Sequence, residues 1–329
     1  MSTLIIDRSA TRIHLHNERI GIIGPDSVAG KVPARVIERI VIRGDTEVSA
    51  STLAALAERG IAFVALGGRH GERVATLGGV QHADASIRLS QTLAFVRPGL
   101  AARIARIIVR RKLREQRRLI GELLASRPDL RKPIFDAGCN LDERLRMLSQ
   151  RGQAICLERL RGIEGAAAAA YFDAYFRVFP PSLGAKRRTR RPPTDPVNAC
   201  LSLGYTLLYA RAEHACRVTG LDPAIGTLHG LAYGRAALAC DLIESERPAI
   251  DRLVWRLFAD RTLREEHFGT DGKQGVLLGK TGRCIFYDAI EALGDQLQRR
   301  LMHQARRLVR HLRRVQAELL PQLGHHDEP

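Results

Sequence analysis

Aromatic side chains make up only 5% of this 329-residue chain, and lysine is rarer than arginine by far, with 6 of the 52 cationic residues. So few aromatics, none of them interleaved with basic runs, argue against stacking on single-stranded nucleic acid as the main binding mode. No stretch reaches the roughly 18 consecutive apolar residues that a membrane span needs, which argues against a membrane protein. The amino-terminal Met1 to Asp7, followed by Arg8, lacks the basic-then-apolar pattern of a secretory signal, so the expected compartment is the cytoplasm. Six cysteines, at positions 139, 156, 200, 216, 240 and 284, form no CxxC pair. They read as small buried hydrophobes rather than as a disulfide frame or a zinc site.

A hydrophobic content of 45% and a charged content of 26% belong to a folded chain, which excludes disorder as the main state. The formal net charge of +17 points to a polyanionic partner. Heavy arginine use does not by itself separate codon bias from phosphate recognition, but distribution is informative. Residues 1–95 carry a net of +2 and residues 96–329 a net of +15. The excess lies in the second part.

The two parts differ in grammar. Thr3–Ile6, Arg12–Leu15, Arg19–Ile23, Arg35–Ile37 and Arg39–Ile42 are short β-branched runs punctuated by Gly, Asp and Ser, and read as strands. Ser49 or Ser51 caps a short helix, Ile61–Leu66 reads as a buried strand, and Arg73–Leu77 closes a further hairpin. After Pro98 the apolar period becomes 3.6, with helices expected over 99–125, 141–161, 166–177, 196–219, 234–246, 248–260 and 285–319. Pro128, Pro133, Pro180–Pro181, Pro192–Pro193 and Gly220 mark most of the breaks. The expected fold class is α+β: a β-rich amino-terminal domain over 1–80, a linker over 81–96, and a larger all-helical domain over 97–329.

Three basic concentrations fall in the second part. Helix 99–125 sets Arg103, Arg106, Arg110, Arg114 and Arg117 on roughly one face, away from Ile104, Ile107 and Ile108. The loop Lys186–Arg191 carries five cations in six residues, Arg187 and Arg188 among them. The last helix bears seven arginines from Arg299 to Arg314 with no acid between them. A single charge run is most often a solvated face; three in one domain suggest nucleic acid held through its phosphates.

Chemistry on phosphodiesters in such a domain calls for a divalent metal, and hard cations need oxygen ligands. Glu164 precedes five alanines, where small side chains leave room for a large partner; the alternative is a helix-start glutamate favoured by the macrodipole. Asp241 and Glu244, three apart, share a face of an otherwise apolar helix, a costly placement unless a cation or metal pairs with them. His229, between Leu228 and Gly230, completes a mixed N/O donor set. Gly275–Thr281 superficially suggests a phosphate loop, but three residues separate its glycines where that motif requires four.

The segments Arg161–Phe172, Asp195–Tyr209 and Gly220–Pro248 resemble the CRISPR-associated integrase family, the first-numbered Cas protein of spacer acquisition. The resemblance covers essentially the whole chain and includes the order and size of the two domains. It implies a metal, Mg²⁺ or Mn²⁺, held by Glu164, His229 and Glu244. Asp241, one turn earlier, matches a further acidic position and is the alternative third ligand. Tyr209 falls where the family has a tyrosine near the DNA end, and Asn198 belongs to the same motif. The resemblance further implies a homodimer built through the β-domain and a small ferredoxin-like Cas partner in an adaptation complex. The implied partner is double-stranded DNA, its backbone held by the arginine runs without sequence readout. The implied reaction joins 3′-hydroxyl ends of a captured fragment into the repeat array by transesterification, with nuclease activity where water replaces the hydroxyl. The competing readings are a branched-DNA repair nuclease using the same site and a non-catalytic DNA-binding scaffold.

Overall fold

Short β-branched runs separated by tight turns form the amino-terminal part. Its elements are β1 (Ser2–Asp7), β2 (Thr11–His16), β3 (Arg19–Ile23), β4 (Val28–Pro33), β5 (Ile37–Arg43), β6 (Thr46–Val48), the helix α1 (Ala50–Glu58), β7 (Ala62–Gly67) and β8 (Arg73–Leu77). These come from a computed structural model that describes residues 2–24, 28–68, 73–77, 84–150, 154–190, 192–270 and 275–319. Ser49 caps α1, its hydroxyl accepting from Thr52 N at 3.2 Å. Arg35 and Val36, expected within a strand, belong to a 3-10 turn over Ala34–Val36 that follows Pro33, and β5 starts only at Ile37.

The strands build two four-stranded sheets, ordered β1-β5-β7-β8 and β4-β3-β2-β6. In the first, β1, β5 and β7 run parallel and β8 antiparallel. Strand alternation divides this sheet between two cores. Ile6, Ile40, Ile42 and Phe63 point to a core shared with Ile13 and Ile20 of the second sheet. Val41, Val64 and Leu66 point the other way, into the core of the helical part. Each fully buried aliphatic side chain of this kind contributes about 1.5–3 kcal/mol by leaving water.

The carboxy-terminal part is helical: α2 (Ala85–Val96), α3 (Pro98–Ser126), α4 (Arg131–Ser149), α5 (Leu157–Arg177), α6 (Pro196–Val218), α7 (Ala237–Ile243) and α8 (Arg247–Ala259), then the ribbon β9 (Phe268–Thr270) and β10 (Val276–Leu278), and finally α9 (Lys280–Ala292) and α10 (Gly294–Leu319). Beyond that small ribbon the expected α+β class holds. Of the span expected to be a linker, residues 81–83 lie outside the described residues, while 85–96 are α2, which buries Ile87 and Ala94 in the helical core. The helix expected over 141–161 is two helices, because Gln150 adopts extended backbone and ends α4. Pro133, expected as a break, sits in the first turn of α4, where proline costs no intrahelical bond. The final helix is likewise split at Leu293–Gly294, where the Arg211 guanidinium lies so close that a Cβ on Gly294 would stand 2.8 Å from Nη2.

Cys200 and Cys216 are buried as expected, but Cys139, Cys156 and Cys284 are exposed, and none of the six is paired. Among the described residues no helix is long and apolar enough to cross a membrane.

Candidate active site

The middle of the long helix α3 passes under α5 and α7, and at that crossing it carries its single lysine. Lys112 is 7% exposed and lies between two carboxylates. Its ammonium bonds Glu164 of α5 and stands 2.5 Å from Oε2 of Glu244, the C-cap of α7. Apart from that ammonium, the buried Oε2 has no hydrogen-bond partner. Oε1 of Glu244 accepts from Arg247 Nε at 2.8 Å. Burial alone would raise the Glu244 carboxyl, yet the charges of Arg247 and Lys112 hold it well below the ordinary carboxylate range. Burial likewise pulls Lys112 down, and Glu244 with Glu164 more than reverse that, raising it above its ordinary value. The Arg247 guanidinium in turn rests 4.5 Å from the centre of the Tyr205 ring.

His229 arrives on the loop between α6 and α7. Asp241 holds that loop by accepting four contacts: Thr227 N at 2.6 Å, Leu228 N at 3.0 Å, His229 N at 2.9 Å and Thr227 Oγ1 at 3.3 Å. Its Oδ1 also stands 2.7 Å from Nδ1 of His229. An ionised carboxylate only accepts, so Nδ1 carries a proton, and in the neutral ring the Nε2 lone pair is then left on the side of Glu244, 3.9 Å from Oε1. Gly226 allows the loop to touch the start of α7, since a Cβ there would stand 2.6 Å from the backbone of Ala237. Two further clamps fix it. Arg161 Nε of α5 donates to Leu228 O at 2.9 Å, and the Gln91 amide of α2 donates to Asp222 O and Ile225 O at 2.8 and 2.7 Å. The segment expected to be a linker thus helps to place the histidine.

Glu164 and Glu244 therefore share the Lys112 ammonium and His229 stands beside Glu244, while Asp241 bonds the histidine and its loop. Glu164 is the eighth residue of α5, which removes the helix-start explanation for it. On the same turn and the next, Gly162, Gly165 and Ala166 are exposed, and a Cβ on either glycine would meet open space. The small-residue face that the sequence suggested lies open beside the carboxylate. Two carboxylates and an imidazole nitrogen around a point cation are a donor set that divalent ions accept. With Lys112 between the carboxylates, no three His, Cys, Asp or Glu side chains among the described residues stand close enough together to ligate one ion.

The remaining expected site residues are dispersed. Tyr209 is half-buried and accepts from Ala236 N at 3.1 Å, so it ties α6 to the chain entering α7 rather than meeting the carboxylates. Asn198 is fully buried and joins Asp195 to Arg187 O, and its Oδ1 accepts from Arg188 and Thr189. Arg188 is not a free cation for DNA: it bonds Asn198 and Ser202 and lies 5.4 Å from the centre of Tyr205. Arg187 is exposed, and Arg191 lies outside the described residues. Of the α3 arginines, Arg103 and Arg114 are exposed. Arg106 instead donates to Leu148 O and Gln150 O, closing the carboxyl end of α4, and Arg117 pairs with Asp142 at 3.0 Å. Arg110 is held below its ordinary value by partial burial and by the charges of Arg114 and Arg106. Ile107, expected to turn away from the basic face, is 45% exposed.

Sequence reasoning missed Lys112 and Arg247. A signal for the first was present: in a helix with seven arginines, one lysine on the apolar side asks for a compact charge rather than a fork.

Two four-stranded sheets ahead of a helical domain, with a Glu–Lys–Glu–His cluster in which Lys112 and Glu244 are buried, define a two-part α+β protein. Residues 4–292 match the family model described as CRISPR associated protein Cas1, and the chain belongs to that family. It is 35% identical over 297 residues to CRISPR-associated endonuclease Cas1 1 of Thermodesulfovibrio yellowstonii, covering 88% of this chain and 91% of that one. Its fold is similar to a casposase bound to integration product, with a TM-score of 0.80 and 19% identity over 94% of this chain and 91% of that one. It is similar also to a chain of a Cas6-RT-Cas1–Cas2 complex, with a TM-score of 0.80 and 23% identity over 95% of this chain and 35% of that longer one.

Proposed function

We propose that this chain is a metal-dependent DNA endonuclease and integrase of CRISPR adaptation. It would join the 3′-hydroxyl ends of captured duplex fragments into a repeat array, as a homodimer working with a small ferredoxin-like Cas partner. The observation that carries the reading is the pairing of Glu164 and Glu244 on the one Lys112 ammonium, with His229 Nε2 3.9 Å from the other oxygen of Glu244, beside the open small-residue face of α5. The relative named an endonuclease supports it, as do the neighbouring folds seen with integration product and in a Cas1–Cas2 complex.

Glu164, His229 and Glu244 would hold Mg²⁺ or Mn²⁺, with Lys112 displaced from between the carboxylates. Bound there, the ion supplies polarisation of the scissile phosphate and stabilisation of the leaving oxygen. The protein's own part is preorganisation. Asp241 keeps the Nδ1–H tautomer of His229, so that Nε2 stays a donor of its lone pair. Arg247 keeps Glu244 ionised and fixed. Exposed Arg103 and Arg114, with the exposed arginines of α10, hold DNA backbone.

Incubation of a labelled duplex bearing 3′-hydroxyl ends with a supercoiled repeat plasmid and Mn²⁺ tests the reading. Joined product that disappears in Glu164→Ala is the expected result. Cut product alone would favour the repair-nuclease reading, no product from wild type would leave only a scaffold, and undiminished joining by Glu164→Ala would move the chemistry away from this site.

A further inference from the structure

Three parallel strands end together at one edge of the first sheet. Asp7 closes β1, Arg43 closes β5 and Gly67 closes β7, with Asp7 paired to Arg43 and Arg43 to Leu66 in register. Ligands of parallel α/β sheets bind outside that carboxyl edge, where the strands hand over to loops. At this edge Gly44 has φ +105 and Gly68 φ +80, values that side-chain-bearing residues rarely adopt. A Cβ on Gly44 would press to 3.2 Å on the Arg8 backbone. Between this edge and the start of α9 lies a cavity of about 730 Å³, lined by Arg8, Arg43, Lys280 and Arg283.

Among the cavity's described lining residues charge is one-sided. The acid among its described lining residues is Asp7, and that carboxylate is taken by Arg283 Nε, whose Nη1 also donates to Leu278 O at 2.8 Å. Arg43 lies beside the buried Tyr287 hydroxyl. Lys280 and Arg8 are exposed at the mouth. Lys280 is also the first residue of α9, whose N-cap Gly279 offers no side-chain oxygen and whose first turn holds no acid. The positive end of a 13-residue helix therefore adds to the cations. Of the Gly279–Lys280–Thr281 run at this strand-to-helix junction, which is no phosphate loop by spacing, Lys280 lines the space.

We propose that the cavity is a second, non-catalytic site that binds the phosphoryl groups of a free, nucleotide-sized anion. Its volume lies in the range of small-ligand pockets and does not admit a duplex. No aromatic ring is among its described lining residues, so it recognises phosphate and does not discriminate between bases. It shares no residue with the cluster around Lys112.

Calorimetric titration of the full chain with inorganic pyrophosphate, without divalent metal and at ionic strength matched with sodium chloride, tests this. Saturable binding that weakens by roughly ten-fold or more in Lys280→Glu combined with Arg8→Glu is expected, since each charge-assisted contact is worth that much. ATP and CTP should bind alike. Arg103→Glu, on the α3 face, should leave pyrophosphate affinity unchanged. Retained plasmid cleavage and an unchanged melting temperature in chloride show that the double variant is folded. Absence of saturable binding overturns the proposal, as does equal affinity in the double variant, which would put the anion elsewhere. A double variant that loses duplex DNA affinity while wild type takes up no pyrophosphate overturns it too, making the cavity a DNA-backbone contact.

Discussion

Asp241 Oδ1 lies 2.7 Å from Nδ1 of His229, while Nε2 of the same ring faces Glu244 Oε1 at 3.9 Å. One carboxylate thus sets the ring's tautomer and, through three backbone N–H bonds, the path of the loop that carries it. Asp241→Asn replaces an acceptor by an amide N–H donor against those same groups. Single-turnover cleavage should fall by about 10–100-fold, the usual cost of losing a partner that orients a ligand. DNA affinity, followed by filter binding, should not change; a normal cleavage rate would reduce Asp241 to a packing residue.

Lys112→Met leaves Glu164 and Glu244 facing each other in a half-closed site. Removing one partner of a buried ion pair costs about 3–5 kcal/mol, less here because Arg247 still neutralises Glu244. The variant should melt lower than wild type in EDTA and gain more than wild type from Mn²⁺, as read by thermal unfolding. Equal gains in the two proteins would count against metal between the carboxylates.

Stability against pH carries two opposed contributions from the buried interior. Burial raises the Asp251 carboxyl to about 6, against bonds from Tyr171 and Tyr205 that pull it down. Its contribution is therefore full below the unfolded value of 3.8 and is lost as pH rises through about 6. Burial, with the charges of Arg39 and Arg211, lowers His214 from 6.5 to about 4, so its contribution is full above 6.5 and lost as pH falls through about 4. Between pH 4 and 6 the two slopes cancel in part, each at most ~1.4 kcal/mol per pH unit. Relative to wild type, Asp251→Asn should become more stable with rising pH in that window, and His214→Gln less stable, by urea unfolding. Parallel profiles for all three proteins would refute both assignments.

Arginines that look alike in the sequence should behave differently toward salt. Arg103→Ala and Arg114→Ala remove exposed cations, and each should lower the log–log salt slope of duplex binding by about 0.9. Arg188→Ala should leave the slope alone and lower the melting temperature, because its guanidinium serves Asn198, Ser202 and Tyr205.

The expected strands at Arg12–Leu15, Arg19–Ile23 and Arg39–Ile42 and the expected helices at 99–125 and 196–219 were legible because period and β-branching act within a few residues. Boundaries failed where a distant group decided them, as when the Arg211 guanidinium crosses at Gly294. The site was half legible. Glu164, His229, Asp241 and Glu244 are each conspicuous in an apolar setting, but their division of labour is not.

From its own residues the chain establishes two dissimilar parts, the location of its excess charge, and a few acids that burial would make costly alone. Only the tertiary structure separates Glu244 from Asp241, brings in Lys112 from 52 positions before Glu164, and turns a presumed linker into the helix that clamps the histidine loop. The reason is physical. Propensity and amphipathicity are local properties, whereas a charge cluster is set by which helices cross, and that depends on packing the whole core at once.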